Sequence, residues 1–98
     1  MVAFPKTKRE ENRNLLDSYW GQPCAICSTK TGTVAHHIKS KKSGGPDFDW
    51  NLLPLCMEHH TEIHKRGAAF MCQKYLHFSS VLKKKGWLLD NFDKLRRI

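Results

Sequence analysis

Long apolar runs are missing from this chain, and no stretch approaches the ~18 apolar residues that a membrane span needs. Met1 to Arg9 carry no apolar core of a signal peptide, so a cytoplasmic location is the expectation. Internal repeats and low-complexity tracts are also absent, which argues against a solenoid or a linker. Carboxylates are scarce: 9 Asp and Glu stand against 17 Lys and Arg, a formal net charge of +8. That excess favours a polyanionic partner, either nucleic acid or an acidic membrane face. A chain of 98 residues makes one small domain. Such a domain buries only about two-thirds of the surface its unfolded chain exposes. Folds of this size often lean on a metal or on disulfides.

Cysteine is sparse but patterned, at Cys24, Cys27, Cys56 and Cys72. Nothing indicates export, and in a reducing compartment close cysteines with histidines nearby read as metal ligands. Cys24 and Cys27 enclose two residues, and Cys56 and His59 repeat that spacing. A C-x-x-C…C-x-x-H set supplies four nitrogen and sulfur ligands, which suits a closed, structural, tetrahedral zinc. A redox pair or a merely buried C-x-x-C is the alternative, and the second matching pair argues against it. Cys72 competes with His59 for the fourth position. It lies in a predicted helix among apolar neighbours and reads as a small core residue.

Thr7 and Glu10 have capping-box spacing, which predicts a helix from about Lys8 to Tyr19 with Leu15, Leu16 and Tyr19 on one side. Thr33 to Ile38 is β-branched and reads as a strand. Lys39 to Trp50 is a polar loop with Gly44-Gly45-Pro46-Asp47 as its turn, and Asn51 to Leu55 is a second strand. Met57 to Lys65 reads as a helix stopped by Gly67. Residues from about 68 to 77 look helical again, and Ser79 or Ser80 could cap a last short helix through Lys85. Trp87, Leu88, Leu89 and Phe92 are expected to fold back on the core, and Lys94 to Ile98 to fray.

Five of the six histidines form two groups, His36-His37 and His59-His60…His64. Histidines at 60 and 64 share a helical face, whereas neighbours in a strand point to opposite sides. His36 and His37 can therefore meet one site only where the strand twists or ends.

His36-His37-Ile38, a Gly-containing loop, and Asn51-Leu52-Leu53-Pro54-Leu55-Cys56-Met57-Glu58-His59-His60 together resemble the signature of the HNH (ββα-metal, His-Me finger) endonucleases. The usual form there is Asp-His-Ile or His-His-Ile, then Asn-Leu, then Cys-x-x-Cys-His. His59 stands where that form has a second cysteine, and Lys39-Ser40 lack its common proline. The version here is closest to short nucleases of phages and prophages, some linked to recombination. The resemblance implies an α+β fold: a small ββα-metal core (β-hairpin plus helix) over residues 24–66, with a zinc knuckle and flanking helices. A helical lead over 7–20 and a helical extension over 68–93 would complete one domain, 1–98. It implies hydrolysis of phosphodiester bonds in DNA, with RNA as the alternative substrate, and a recombination or phage protein as a conceivable partner.

Roles follow by position. His36 takes the place of the first ligand of the catalytic ion and His37 that of the general base. Asn51 takes the middle place, bracing the loop and orienting His37. His60 takes the second ligand place, and His64 serves as a further ligand or phosphate contact. Imidazole, titrating near ~6.5, can accept a proton from water at neutral pH. An ion held by few side chains keeps positions open for phosphate. Imidazole ligands suit zinc, nickel or manganese better than magnesium, although the resemblance allows all four. Lys39, Lys41 and Lys42 follow the strand and are candidates for contacts to the nucleic-acid backbone. The rival reading is a non-catalytic zinc-stabilised nucleic-acid-binding module. It accounts for charge and cysteines but not for His36, His37, His60 and His64 together.

Overall fold

A computed structural model describes residues 10–98. Its centre is a two-stranded antiparallel hairpin, β1 (Thr33–His37) with β2 (Leu52–Cys56). The register runs from Thr33 opposite Cys56 to His37 opposite Leu52. Pro54 is tolerated because its peptide faces away from β1. Its carbonyl accepts from the Ala25 N–H at 2.8 Å, so the missing proline donor falls on the outer edge. The second strand begins one residue later than the sequence pattern predicts, because Asn51 closes a 3₁₀ turn.

Helix α2 (Met57–Lys74) follows β2 without a loop and buries His59, Ile63 and Met71. It breaks at Gly67, whose φ of 83° and ψ of 163° leave the helical region. Glycine adopts that conformation without steric cost, and the break divides the two helical stretches read from the sequence. Helix α3 (Phe78–Lys84) starts at Phe78, which is fully buried. Ser79 and Ser80 therefore lie inside α3 rather than capping it, because burial of Phe78 sets where the helix begins. One core joins Ile26, Leu53, Leu55, Ile63, Met71, Phe78, Leu82 and Trp87. Among the described residues no helix is long and apolar enough to cross a membrane.

The flanks depart from expectation in two places. Helix α1 spans Arg13–Ser18 only, capped by the Asn12 side chain accepting from the Leu15 N–H at 3.0 Å. Thr7 and Lys8, and with them the expected capping box, lie outside the described residues. The backbone before α1 is committed elsewhere: Glu10 O accepts from Asp47 N at 2.7 Å, and Asn12 N donates to Asp47 at 2.9 Å. Tyr19 carries the burial at the end of α1 and donates its hydroxyl to Asp49.

At the other end the expected helical extension holds through α3, but its last residues and the expected frayed tail give way to a second hairpin, β3 (Trp87–Leu89) with β4 (Leu95–Arg97). Asp90 builds its turn by accepting from the N–H groups of Phe92 and Lys94 and from Arg96. The Arg96 guanidinium leads in holding that carboxyl down to about 2. Arg97 lies 3.8 Å from the Trp50 ring centroid, and the Trp87 indole donates to Trp50 O at 2.9 Å. Trp87 thus folds back as expected, whereas Leu88 and Phe92 are exposed.

The loop from Ile38 to Asn51 is drawn tight at Gly45. A Cβ there would stand 1.8 Å from Lys39 O. Gly45→Ala is expected to destabilise the chain by ~3 kcal/mol in urea unfolding, the upper range for overpacking. Gly32→Ala, at φ 68° with nothing within 4 Å, should cost only the left-handed backbone, about 1 kcal/mol.

Candidate metal centres and cleft

Cys24 and Cys27 lie in the turn before β1, Cys56 ends β2, and His59 falls on the first turn of α2. Their donor atoms all lie within 4.8 Å of one another. Cys27 Sγ and Cys56 Sγ are 3.8 Å apart, and His59 Nδ1 is 3.2 Å from Cys56 Sγ and 3.7 Å from Cys24 Sγ. Two sulfurs each about 2.3 Å from a tetrahedral zinc would stand about 3.8 Å apart, whereas a disulfide would bring them to about 2 Å. All four cysteines are free thiols. Burial pushes the Cys24 thiol up, but N–H groups of Cys27, Cys56 and Ile26 and the His59 ring outweigh it and hold it down to about 6. Burial pushes the Cys56 thiol up, and the neighbouring Cys27 and Cys24 sulfurs add to the rise. The set can hold a metal ion such as zinc. Cys72 is not among its donors. It packs against the core with its thiol pushed up by burial.

A second group forms on the other side of α2. His36, His60 and His64 bring one ring nitrogen each within 4.8 Å of the others. The His36 ring centroid lies 5.3 Å from that of His60 and 5.4 Å from that of His64. The Nε2 atoms of His60 and His64 are 3.0 Å apart. Two nitrogens each about 2.1 Å from one ion and at right angles to it would stand about 3 Å apart. Burial, and after it His60, His64 and His37, push the His36 imidazole down to about 3. Burial also leads in lowering His60. His36 Nδ1 is buried without a hydrogen-bond partner. A buried ring nitrogen left unpaired is costly, and a cation that takes up its lone pair would relieve that cost. The donor set therefore fits an ion.

His37, the last residue of β1, is held differently. Its Nε2 lies 2.7 Å from Asp47 Oδ1, and both side chains are nearly buried. Asn51 is fully buried below them. Its Oδ1 accepts from Lys39 N at 2.8 Å, and its Nδ2 donates to Lys39 O at 3.1 Å and to Pro46 O at 3.0 Å. One amide thus clasps both ends of the loop that presents Asp47 to His37.

A cleft of about 520 Å³ opens beside these groups, lined by His37, His60 and His64, by Lys41 and Lys42, and by Arg13 with its ion-pair partner Asp17 at 3.3 Å. His36 forms part of a neighbouring hollow behind them. Lys39 turns away to a third hollow with Trp50, Trp87 and Arg97, so two of the three lysines singled out in the sequence share the histidine cleft. Asp47 was legible only as a turn residue in Gly44-Gly45-Pro46-Asp47. A signal lay in its chemistry, since an aspartate in the loop leaving a His-His strand end can reach back to it. Arg13, legible in the sequence as one of the spread basic residues, also lines the cleft, as does Trp20, which carries no sequence signal of its own.

Cys24→Ser is expected to release bound zinc and to lower the melting temperature strongly, because one thiolate donor is lost from a four-donor set. Metal analysis of the parent should find about one zinc that resists mild chelation. A Cys24→Ser chain with the parent's zinc content and melting would contradict this.

No curated protein and no solved structure matches the chain. The sequence model of one family, described as "Protein of unknown function (DUF968)", matches residues 1–84. That match takes in α1, both donor clusters, the cleft and α3, and stops short of the β3–β4 hairpin. The chain belongs to the DUF968 family.

Proposed function

We propose that this protein is a metal-dependent endonuclease that hydrolyses phosphodiester bonds in DNA. The observation that carries the reading is that a carboxylate-backed histidine, His37, shares a cleft with His60 and His64, which with the buried His36 behind them form a cluster of three imidazoles. Cys24, Cys27, Cys56 and His59 would hold a structural zinc. Apparent binding free energies of structural zinc run to ~10 kcal/mol or more, as large as the whole stability of a typical domain, about 5–15 kcal/mol. His36, His60 and His64 would hold the second ion, and three nitrogen donors suit zinc, nickel or manganese better than magnesium. Bound there, a divalent cation supplies charge neutralisation at the phosphate and at the leaving oxygen.

The chain's own groups divide the remaining work. With its proton on Nε2, His37 donates to Asp47 and keeps the lone pair on Nδ1. Nδ1 is then the atom that takes a proton from the attacking water. Asp47 fixes that tautomer and steadies the imidazolium that forms, the role an aspartate plays behind any histidine base. Asn51 holds Asp47 in place through the backbone of Lys39 and Pro46. Arg13, Lys41 and Lys42 supply the positive charge that draws in phosphates. A binding module without catalysis has no use for a base oriented in this way beside an open cleft.

Plasmid nicking with Mg²⁺, Mn²⁺, Ni²⁺, Zn²⁺ or chelator tests the proposal. His37→Ala is expected to lose ~10²- to 10⁴-fold in cleavage rate, the usual worth of a general base, while keeping fold, metal content and DNA affinity. His60→Ala should lose cleavage together with the second ion. A His37→Ala chain that cuts as fast as the parent would sink the assignment. A parent that cuts under no ion would leave the binding module in its place.

A further inference from the structure

Trp20 is 66% exposed, yet it lines the same cleft as His37, His60 and His64. Its neighbour Tyr19 does the structural work at this corner, being 3% exposed and hydrogen-bonded to Asp49. The indole's backbone is fixed, because Trp20 N donates to Asp17 O at 3.1 Å and Gly21 turns the chain immediately after at φ 76°. The other two tryptophans are used internally: Trp50 and Trp87 lie 5.9 Å apart, with Arg97 over Trp50. Among the described residues no ring or guanidinium stacks on Trp20. A large rigid aromatic face in water shares this cleft with Lys41, Lys42 and an Arg13 that pairs with Asp17 on the same wall at 3.3 Å, and an aromatic face among cations is the pairing that single-stranded nucleic acid uses. Cations track the phosphates while an aromatic face takes a base.

We infer that Trp20 is a stacking platform for an unpaired base beside the phosphate to be cut, so that the preferred substrate is a single strand or an unpaired segment rather than continuous duplex. The inference rests on the nuclease reading and narrows its substrate class. In a continuous duplex both faces of each base are covered by neighbouring bases, and Trp20 would have nothing to stack on. An unstacked base offers its face whatever its identity, so the contact adds affinity without sequence preference. Arg13 and Lys41–Lys42 hold the backbone on either substrate and do not discriminate.

Fluorescence anisotropy with labelled oligothymidylate and with a fully paired hairpin of equal length tests this, using chains that all carry His37→Ala to keep the strands uncut. Trp20→Ala should weaken oligothymidylate binding about tenfold, the scale of one lost stacked base, and change hairpin binding by less than about twofold. Trp20→Phe, which keeps a ring, should restore most of the loss. Melting curves should be unchanged, because the indole is exposed. An equal loss on both probes, no loss on either, or a parent that prefers the hairpin would overturn the stacking role. Cleavage by the otherwise native chain separates the two ideas. A parent that cuts while Trp20→Ala binds and cuts like it defeats stacking alone. A parent that binds oligothymidylate through Trp20 but cuts nothing defeats the nuclease reading alone. A parent that binds neither probe defeats both.

Discussion

The rotational phase of α2 is the constraint on which both donor clusters depend. The helix starts directly from β2, with Cys56 as the last strand residue and Met57 as the first helical one. Adjacent helical positions are turned by about 100°, so the neighbours His59 and His60 must face different ways. His59 and Ile63 take the buried face, and His59 meets the three sulfurs. His60 and His64, one turn apart, meet His36 instead. A single register therefore sends one histidine to the thiols and the next two to the cleft. Any slip in α2 would dismantle both clusters together.

The loop between the strands is the second half of the frame. It leaves β1 at His37 and returns at Leu52, and its ends are tied by the Asn51 side chain and by Ile38 N donating to Asn51 O at 2.8 Å. Gly45 lets the backbones approach, because any side chain there would strike Lys39 O. The same loop is pinned from outside by the segment before α1, which bonds both the backbone and the side chain of Asp47. Asp47 thus joins His37 to the chain preceding α1. The cleft is walled by α1 on one side and by the loop on the other. A small domain with one hairpin and short helices holds its polar site in place by such buried, fully bonded side chains.

Much of this was legible in the sequence, for a definite reason. The spacing of Cys24, Cys27, Cys56 and His59, and of His60 and His64, lies within turns and one helix. There, distance along the chain fixes distance in space. The hairpin followed from β-branched residues and the turn-forming loop. What spacing could not reveal was contact made by loops. Asp47 is ten residues from His37 with a turn between them, and aspartate is common in turns for reasons unrelated to catalysis. Arg13, Lys41 and Lys42 share a cleft only because α1 packs beside β1. The β3–β4 hairpin escaped because its three-residue strands are too short to display a two-residue period. Its Asp90-Asn91-Phe92-Asp93 turn was the available signal. The early start assigned to the first helix failed because Glu10 and Asn12 spend their backbone groups on Asp47, a tertiary demand that local propensity does not register.

Two chemically distinct donor clusters share α2, one of three cysteines and His59 and one of three imidazoles beside His37, and the proposed function requires that each hold its own ion. Cobalt titration of the chain already carrying one zinc tests it most directly, because thiolate-bound cobalt absorbs strongly in the near ultraviolet and imidazole-bound cobalt does not. The account predicts that one further ion binds without thiolate absorption, and that His60→Ala or His64→Ala weakens this second ion while the zinc stays in place. Failure to take up a second ion, or uptake that is indifferent to both histidines, would contradict it.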